Sequence, residues 1–184
     1  MFKTISGTVM LTTAEKPQTL RPNTALRMSP QARQRLRDVE TVQYRYYNDM
    51  GKNRGHCTWG IGVLAHRGMC TEEELGRTVS AAQVEAEFSR RVAEAEGGVH
   101  RNVTVELNQA QFDGLVSFTY NTGARGALGT YELLNANDFA GAAANMIIFV
   151  RVRVKTKSGY KKIIAGGLVK RRTEESAPFL QTGK

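Results

Sequence analysis

Two carboxylates stand nine positions apart (49 − 40) in the stretch from Glu40 to Gly62, ETVQYRYYNDMGKNRGHCTWGIG, and Thr58 follows them at the start of a Gly-x-Gly segment. Paired carboxyl groups can break a glycosidic bond. One, protonated, donates to the leaving oxygen, and the other, ionised, activates water or attacks the sugar. Glu40 and Asp49 have the residue types for that pair.

The elements that must position them can be read locally. Ser29-Pro30 predicts a helix start, with Ser as capping residue and Pro at the first helical position, and Ala32, Leu36 and Val39 follow at helical intervals. Glu40 then closes a short helix. The aromatic run Gln43-Tyr44-Arg45-Tyr46-Tyr47 predicts a strand, and Asn48-Asp49 with Gly51 and Gly55 predicts the loop of a hairpin whose returning strand is Thr58-Trp59-Gly60-Ile61-Gly62. A helix end facing a hairpin makes a cleft with one carboxylate on each wall.

Further on, Thr71-Glu72-Glu73-Glu74 is a capping box, and Ser80 opens a run through Val84, Phe88, Val92 and Ala95 that Gly97-Gly98 is expected to end. Asn108 caps an apolar helix reaching Tyr120, Thr130 is expected to cap a shorter one, and Asp138 precedes another. Arg151 to Lys162 alternates basic with apolar or hydroxyl residues across a Ser-Gly turn and predicts a small basic hairpin.

The Glu40, Asp49 and Thr58 segment resembles the phage-type lysozymes and endolysins, the family that includes the T-even phage enzyme, whose motif is Glu, eight residues, Asp, five residues, Thr. Here the second gap is three residues longer, so strict counting would reach Gly55; the extra residues are placed in the loop Met50 to Cys57, leaving Thr58 in the family's Thr-x-Gly-x-Gly strand. Asn108 to Gly123 is similar to the family's central buried helix with its glycine stop, and Gly167 to Arg172 resembles its C-terminal helix. Val63, where many members carry histidine, and the stretch Arg151 to Ile164 depart from the pattern.

The resemblance implies an α+β fold, mainly helical, with a small β-hairpin lobe forming one wall of the active-site cleft. It implies an endolysin-type muramidase that hydrolyses the β-1,4 bond between N-acetylmuramic acid and N-acetylglucosamine in peptidoglycan, with inversion and a carboxylate separation of about 6.5 to 9.5 Å. Glu40 would be the general acid, its pKa raised by apolar neighbours, while Asp49 stays ionised and holds a water with the Thr58 hydroxyl. Tyr120 and Asn121 end the central helix, where family members bind substrate; an aromatic and an Asn there could equally cap and pack. Arg171 and Arg172 read as a solvated C-terminal basic run, with pairing to the helix dipole or to Glu40 as the alternative. No metal or organic cofactor is expected.

Residues 1–28 are polar and basic and read as an N-terminal extension to a catalytic domain over residues 29–184. At 184 residues and 41% hydrophobic content the chain has ample material for one core, and a net charge of +9 favours anionic partners such as envelope components. No nucleic-acid module is present. Neither a signal peptide nor a transmembrane run is legible, so the chain is expected to be made in the host cytoplasm and to act, as a monomer, on the periplasmic wall after a holin or delivery machine provides access. A non-catalytic peptidoglycan-binding or spike-associated protein, and a cationic envelope-disrupting protein, are the alternatives. Cys57 and Cys70 could form a disulfide or remain free thiols, and His56, His66 and His100 read as surface residues with no metal-site spacing.

Overall fold

The computed structural model describes residues 22–156 and 159–181. The elements run α1 (Pro30–Val39), β1 (Gln43–Asn48), β2 (Cys57–Gly60), β3 (Val63–His66), α2 (Glu72–Leu75), α3 (Ala81–Asn102), α4 (Gln109–Gly126), α5 (Leu128–Asn135), α6 (Phe139–Ile147), β4 (Arg151–Thr156), β5 (Gly159–Ile164) and α7 (Gly166–Leu180). This is the mixed, mainly helical architecture expected, with β1-β2-β3 as one antiparallel sheet and β4-β5 as another. β3 was not legible in the sequence and turns the expected hairpin into a three-stranded lobe.

The core is centred on α3 and α4. Val84, Phe88, Val92 and Val99 from the first meet Phe112, Leu115, Val116 and Phe118 from the second, all buried. Both helices begin with reciprocal caps, Ser80 with Gln83 and Asn108 with Gln111, which satisfy amide donors that the first turn leaves open. α1 is fixed to this body at its own cap: the Ser29 hydroxyl accepts from the Ala32 N–H and donates to the Asp113 carboxylate on α4, 2.6 Å away. The cap that starts the helix therefore also aims it.

Several local expectations are overruled by packing. α3 does not end at Gly97-Gly98 but continues to Asn102. A Cβ at Gly98 would stand 3.2 Å from the Ala124 Cβ and 3.3 Å from the Thr119 Cγ2, so this glycine lets α3 approach α4 rather than stopping it. Thr130 is not a cap. It lies inside α5, fully buried, and its hydroxyl donates to Asn145 at 2.9 Å. α4 reaches Gly123, where a left-handed φ of 72° breaks the helix before its last turn.

The expected boundary after residue 28 is not a boundary of packing. The Asn23 amide donates to the Val105 carbonyl at 2.8 Å and its oxygen accepts from the Leu107 N–H at 3.0 Å, while Met28 is buried in the core. The folded body thus includes residues 23–28, and residues 1–21 lie outside the described ones. His100, expected at the surface, is half-buried and stacks on Phe112 with ring centroids 5.3 Å apart.

In the sheet lobe Cys57 and Cys70 form a disulfide, which joins β2 to the start of α2. The Cys70 N–H also donates to the Asn48 side chain at 2.8 Å, so one crosslink braces the residues on either side of the β1–β2 loop. It closes a 13-residue separation, for which chain entropy gives about 3 kcal/mol of stabilisation. We expect the Cys57→Ala/Cys70→Ala double variant to lose roughly that much in denaturant unfolding. A stability equal to the parent's would show that the bond constrains nothing.

His66 and Glu74 add a pH-dependent tie across the same lobe, Nε2 to Oε1 at 3.0 Å. The Arg67 carbonyl and then Glu74 raise the His66 pKa, and the Thr71 N–H and then His66 lower that of Glu74. The histidine contribution is complete below its unfolded value of about 6.5 and fades as pH rises through the raised folded value; the glutamate contribution is present above about 4.5 and fades on acidification. The Tm gap between parent and His66→Gln should be widest between those values, and a gap as large at pH 9 as at pH 6 would contradict the pairing.

Candidate active site

Glu40 caps the C-terminus of α1, and its own N–H donates to the Arg37 carbonyl. The apolar setting expected around its carboxylate is not there. The Arg171 guanidinium of α7 stands 3.3 Å from Oε1 and is itself held by Glu175 at 2.8 Å and by the Ser117 carbonyl at 3.1 Å. Neither Arg171 nor Arg172 belongs to a solvated run. Arg172 is 1% exposed, bonded to Glu175, to the Asn121 side-chain oxygen and to the Phe149 carbonyl at 3.2 Å, with its guanidinium 4.9 Å over the Phe118 ring. Burial pulls the Arg172 pKa down and Glu175 opposes the shift.

Asp49 follows β1 directly and is exposed. Its N–H donates to the His56 carbonyl at 3.1 Å and its carboxylate accepts the His56 N–H at 2.8 Å, so Asp49 and His56 close the loop between the strands. Thr58, on β2 opposite Tyr47, is 4% exposed and donates its hydroxyl to the same His56 carbonyl at 3.2 Å. Asp49 and Thr58 are therefore joined through one backbone oxygen despite the three added residues. Gly55, the position that strict motif counting reaches, has a different use. It holds a φ of 90°, and a Cβ there would lie 2.0 Å from the Asp49 Oδ1.

Tyr120 and Asn121 sit where α4 approaches its break. Tyr120 packs edge-on against Phe88 at 5.9 Å, and its hydroxyl is buried without a partner at bonding geometry. Burial, and then the charge of Glu40, pushes its pKa up to about 12, while Arg91 and Arg171 lie near enough to oppose that rise. Asn121 has its oxygen occupied by Arg172, which leaves its amide donors for any ligand.

Three participants were not legible from the motif. Arg91 on α3 donates to the Gly62 carbonyl at 3.0 Å while paired with Glu87 at 3.2 Å, and so joins the helical body to the sheet lobe. The Tyr47 pKa is raised by burial and then by Asp49, and is lowered by a bond to Gly62 and by Arg91. Arg171 holds Glu40. Asp49 and Arg91 both act on Tyr47, and Glu40 and Arg91 both act on Tyr120, so Arg91 lies electrostatically between the sides that carry the two carboxylates. A separate cavity of about 280 Å³ between α1, α4 and α7 includes Leu36, Val39, Ser117 and Arg171 in its lining but none of Glu40, Asp49 and Thr58, so it is not this site.

Comparison with known proteins follows the geometry. The fold is of the lysozyme type, and the family model described as phage lysozyme matches residues 37–175. The chain belongs to the phage lysozyme family. It is 38% identical over 107 residues to an endolysin of Bacillus phage B103, covering 56% of this chain and 37% of that protein. It is 32% identical over 144 residues to an endolysin of Bacillus phage PZA, covering 78% and 51%. The chain thus spans about half or less of the length of these relatives. Among solved structures it superposes on an endolysin from Escherichia coli O157:H7 phage FAHEc1 with a TM-score of 0.66 and 26% identity, over 85% of this chain and 94% of that one. The muramidase domain of SpmX from Asticaccaulis excentricus shares the fold at a TM-score of 0.63 and 21% identity, over 85% of this chain and 99% of that one.

Because Gly55 leaves room for the Asp49 carboxylate, Gly55→Ala should displace that group while the helical body stays folded. If Asp49 handles the attacking water of a glycan hydrolysis, kcat for wall cleavage should fall about 100-fold, on the scale of losing one acid-base group, in a variant whose folding is checked by its melting curve. Unchanged kcat in a folded variant would remove Asp49's orientation from the mechanism.

Proposed function

We propose that this chain is an endolysin-type muramidase that hydrolyses the β-1,4 bond between N-acetylmuramic acid and N-acetylglucosamine in bacterial peptidoglycan. The observation that carries the proposal is the opposite settings of the two carboxylates: Glu40 half-buried against a cation, Asp49 open to water and fixed by a backbone N–H. The endolysins among its relatives support the same reading.

In the reaction Glu40 gives its proton to the glycosidic oxygen as the C1–O bond breaks. A water held by Asp49 and the Thr58 hydroxyl attacks C1 from the opposite face and yields its proton to Asp49, so the configuration inverts. Glu40 gains negative charge in this step, and Arg171, already 3.3 Å away, stabilises the anion without rearranging. The exposed Asn121 amide binds the sugar on the Glu40 side, with Tyr120, its hydroxyl buried, packed beside it where α4 approaches its break. Host lysis is the biological role proposed, with a monomer reaching the periplasmic wall through a holin or delivery machine.

The test is digestion of purified peptidoglycan in oxygen-18 water by the parent and by Glu40→Gln. Labelled reducing muramic acid ends are expected from the parent, with the variant slower by about 100-fold or more. Anhydro-muramic ends would replace hydrolysis with a transglycosylase reaction. Tight wall binding with no fragments from the parent would leave a binding protein.

A further inference from the structure

Between Asp138 and Glu174 the chain contains no acidic residue, yet the twelve residues from Arg151 to Lys162 carry six cations, Arg151, Arg153, Lys155, Lys157, Lys161 and Lys162. Residues 151–156 and 159–164 form β4 and β5, which pair with each other and with no other described strand. Its register sets Arg153 opposite Lys162, with Lys161 opposite Val154 and Val152 opposite Ile163. Like charges directly opposite destabilise a ladder, and a two-stranded sheet alone is marginal in water. The arrangement is most stable against an anionic surface.

The hairpin base is apolar and exposed. Ile148 before β4 is 65% exposed and Ile164, paired with Arg151 at the end of β5, is 61% exposed; Ile147, Val152, Ile163 and Val169 are exposed as well. A polyanion such as a nucleic acid or an acidic peptide would engage the cations and leave these side chains in water. A bilayer with anionic headgroups satisfies both, phosphates meeting Lys and Arg while the isoleucines enter the boundary beneath them.

We propose that the β4–β5 hairpin and the exposed isoleucines at its base form a docking surface for anionic lipid bilayers. The surface is independent of the glycan chemistry, since none of Glu40, Asp49 and Thr58 lies in the hairpin. Its base is fixed to α7, because the Phe149 carbonyl just before β4 accepts from Arg172, and it is closed by the Ala165 N–H just after β5, which donates to the Val150 carbonyl at 2.9 Å. Docking through the hairpin would hold the enzyme at the membrane face of the wall.

The experiment is co-sedimentation of the full chain with phosphatidylglycerol/phosphatidylcholine vesicles and with phosphatidylcholine vesicles, using four proteins whose melting curves are recorded in parallel. They are the parent, Lys161→Glu/Lys162→Glu, Ile148→Ser/Ile164→Ser, and Arg67→Glu/Arg125→Glu, the last placing the same charge change at exposed sites away from the hairpin. The parent should sediment with the anionic vesicles only. The hairpin charge variant should bind about tenfold or more weakly, the isoleucine variant should also weaken, and the remote variant should stay near the parent. If the isoleucine variant fails to fold, the two charge variants still decide the matter. Equal losses in both charge variants would reduce the effect to net charge, equal parental binding to both vesicle types or to neither would remove the lipid, and the same variant order on purified peptidoglycan in place of vesicles would transfer the hairpin to the wall. Any of these overturns the proposal.

Discussion

A guanidinium can occupy a protein interior only if its donors find acceptors there, and Arg172 meets that condition at the join between α7 and α4. Glu175, Asn121 and the Phe149 carbonyl receive its N–H groups, and the Phe118 ring lies beneath its face. Removing one partner of such a buried pair costs about 3 to 5 kcal/mol, so α7 has little freedom to rotate or slide. Gly114 allows the close approach, since a Cβ there would stand 2.5 Å from the Glu175 carbonyl oxygen. With Arg172 turned inward, its neighbour Arg171 is turned toward Glu40, and Glu175 binds both arginines. The candidate acid thus owes its cationic partner to a constraint set in the core behind it.

The opposite wall is organised by short-range backbone geometry rather than by burial. The His56 carbonyl accepts from the Asp49 N–H and the Thr58 hydroxyl, the His56 N–H goes to the Asp49 carboxylate, and the disulfide together with the Cys70 N–H to Asn48 bond holds the two ends of the loop. A loop longer than the family pattern is tolerated because the extra residues lie between these fixed points, where added length costs little entropy. Arg91 then sets the distance between the walls, one end on Glu87 of the helical body and the other on Gly62 of the lobe.

Much of the fold was legible because many of its determinants act within one helical turn or one strand. The caps at Ser29, Thr71, Ser80, Asn108 and Asp138 all form with nearby partners as their residue types predict. The 151–162 alternation likewise becomes β4 and β5. Gly98 and Thr130 misled for the converse reason. A glycine can end a helix or let two helices touch, and a threonine can cap or be buried against another side chain; only the neighbouring segment decides between these.

For the site, residue type and spacing along the chain were enough to single out Glu40, Asp49 and Thr58 and to relate the chain to the phage lysozymes. Tertiary structure alone decided that the cation beside Glu40 is Arg171, that the apparently solvated Arg172 is buried, that Gly55 supports Asp49, and that Arg91 bridges the lobes. It also made the two cysteines one bond. The contacts of Arg171, Arg172 and Arg91 join segments distant in sequence, and a charged side chain carries no local mark of whether water or another helix will surround it.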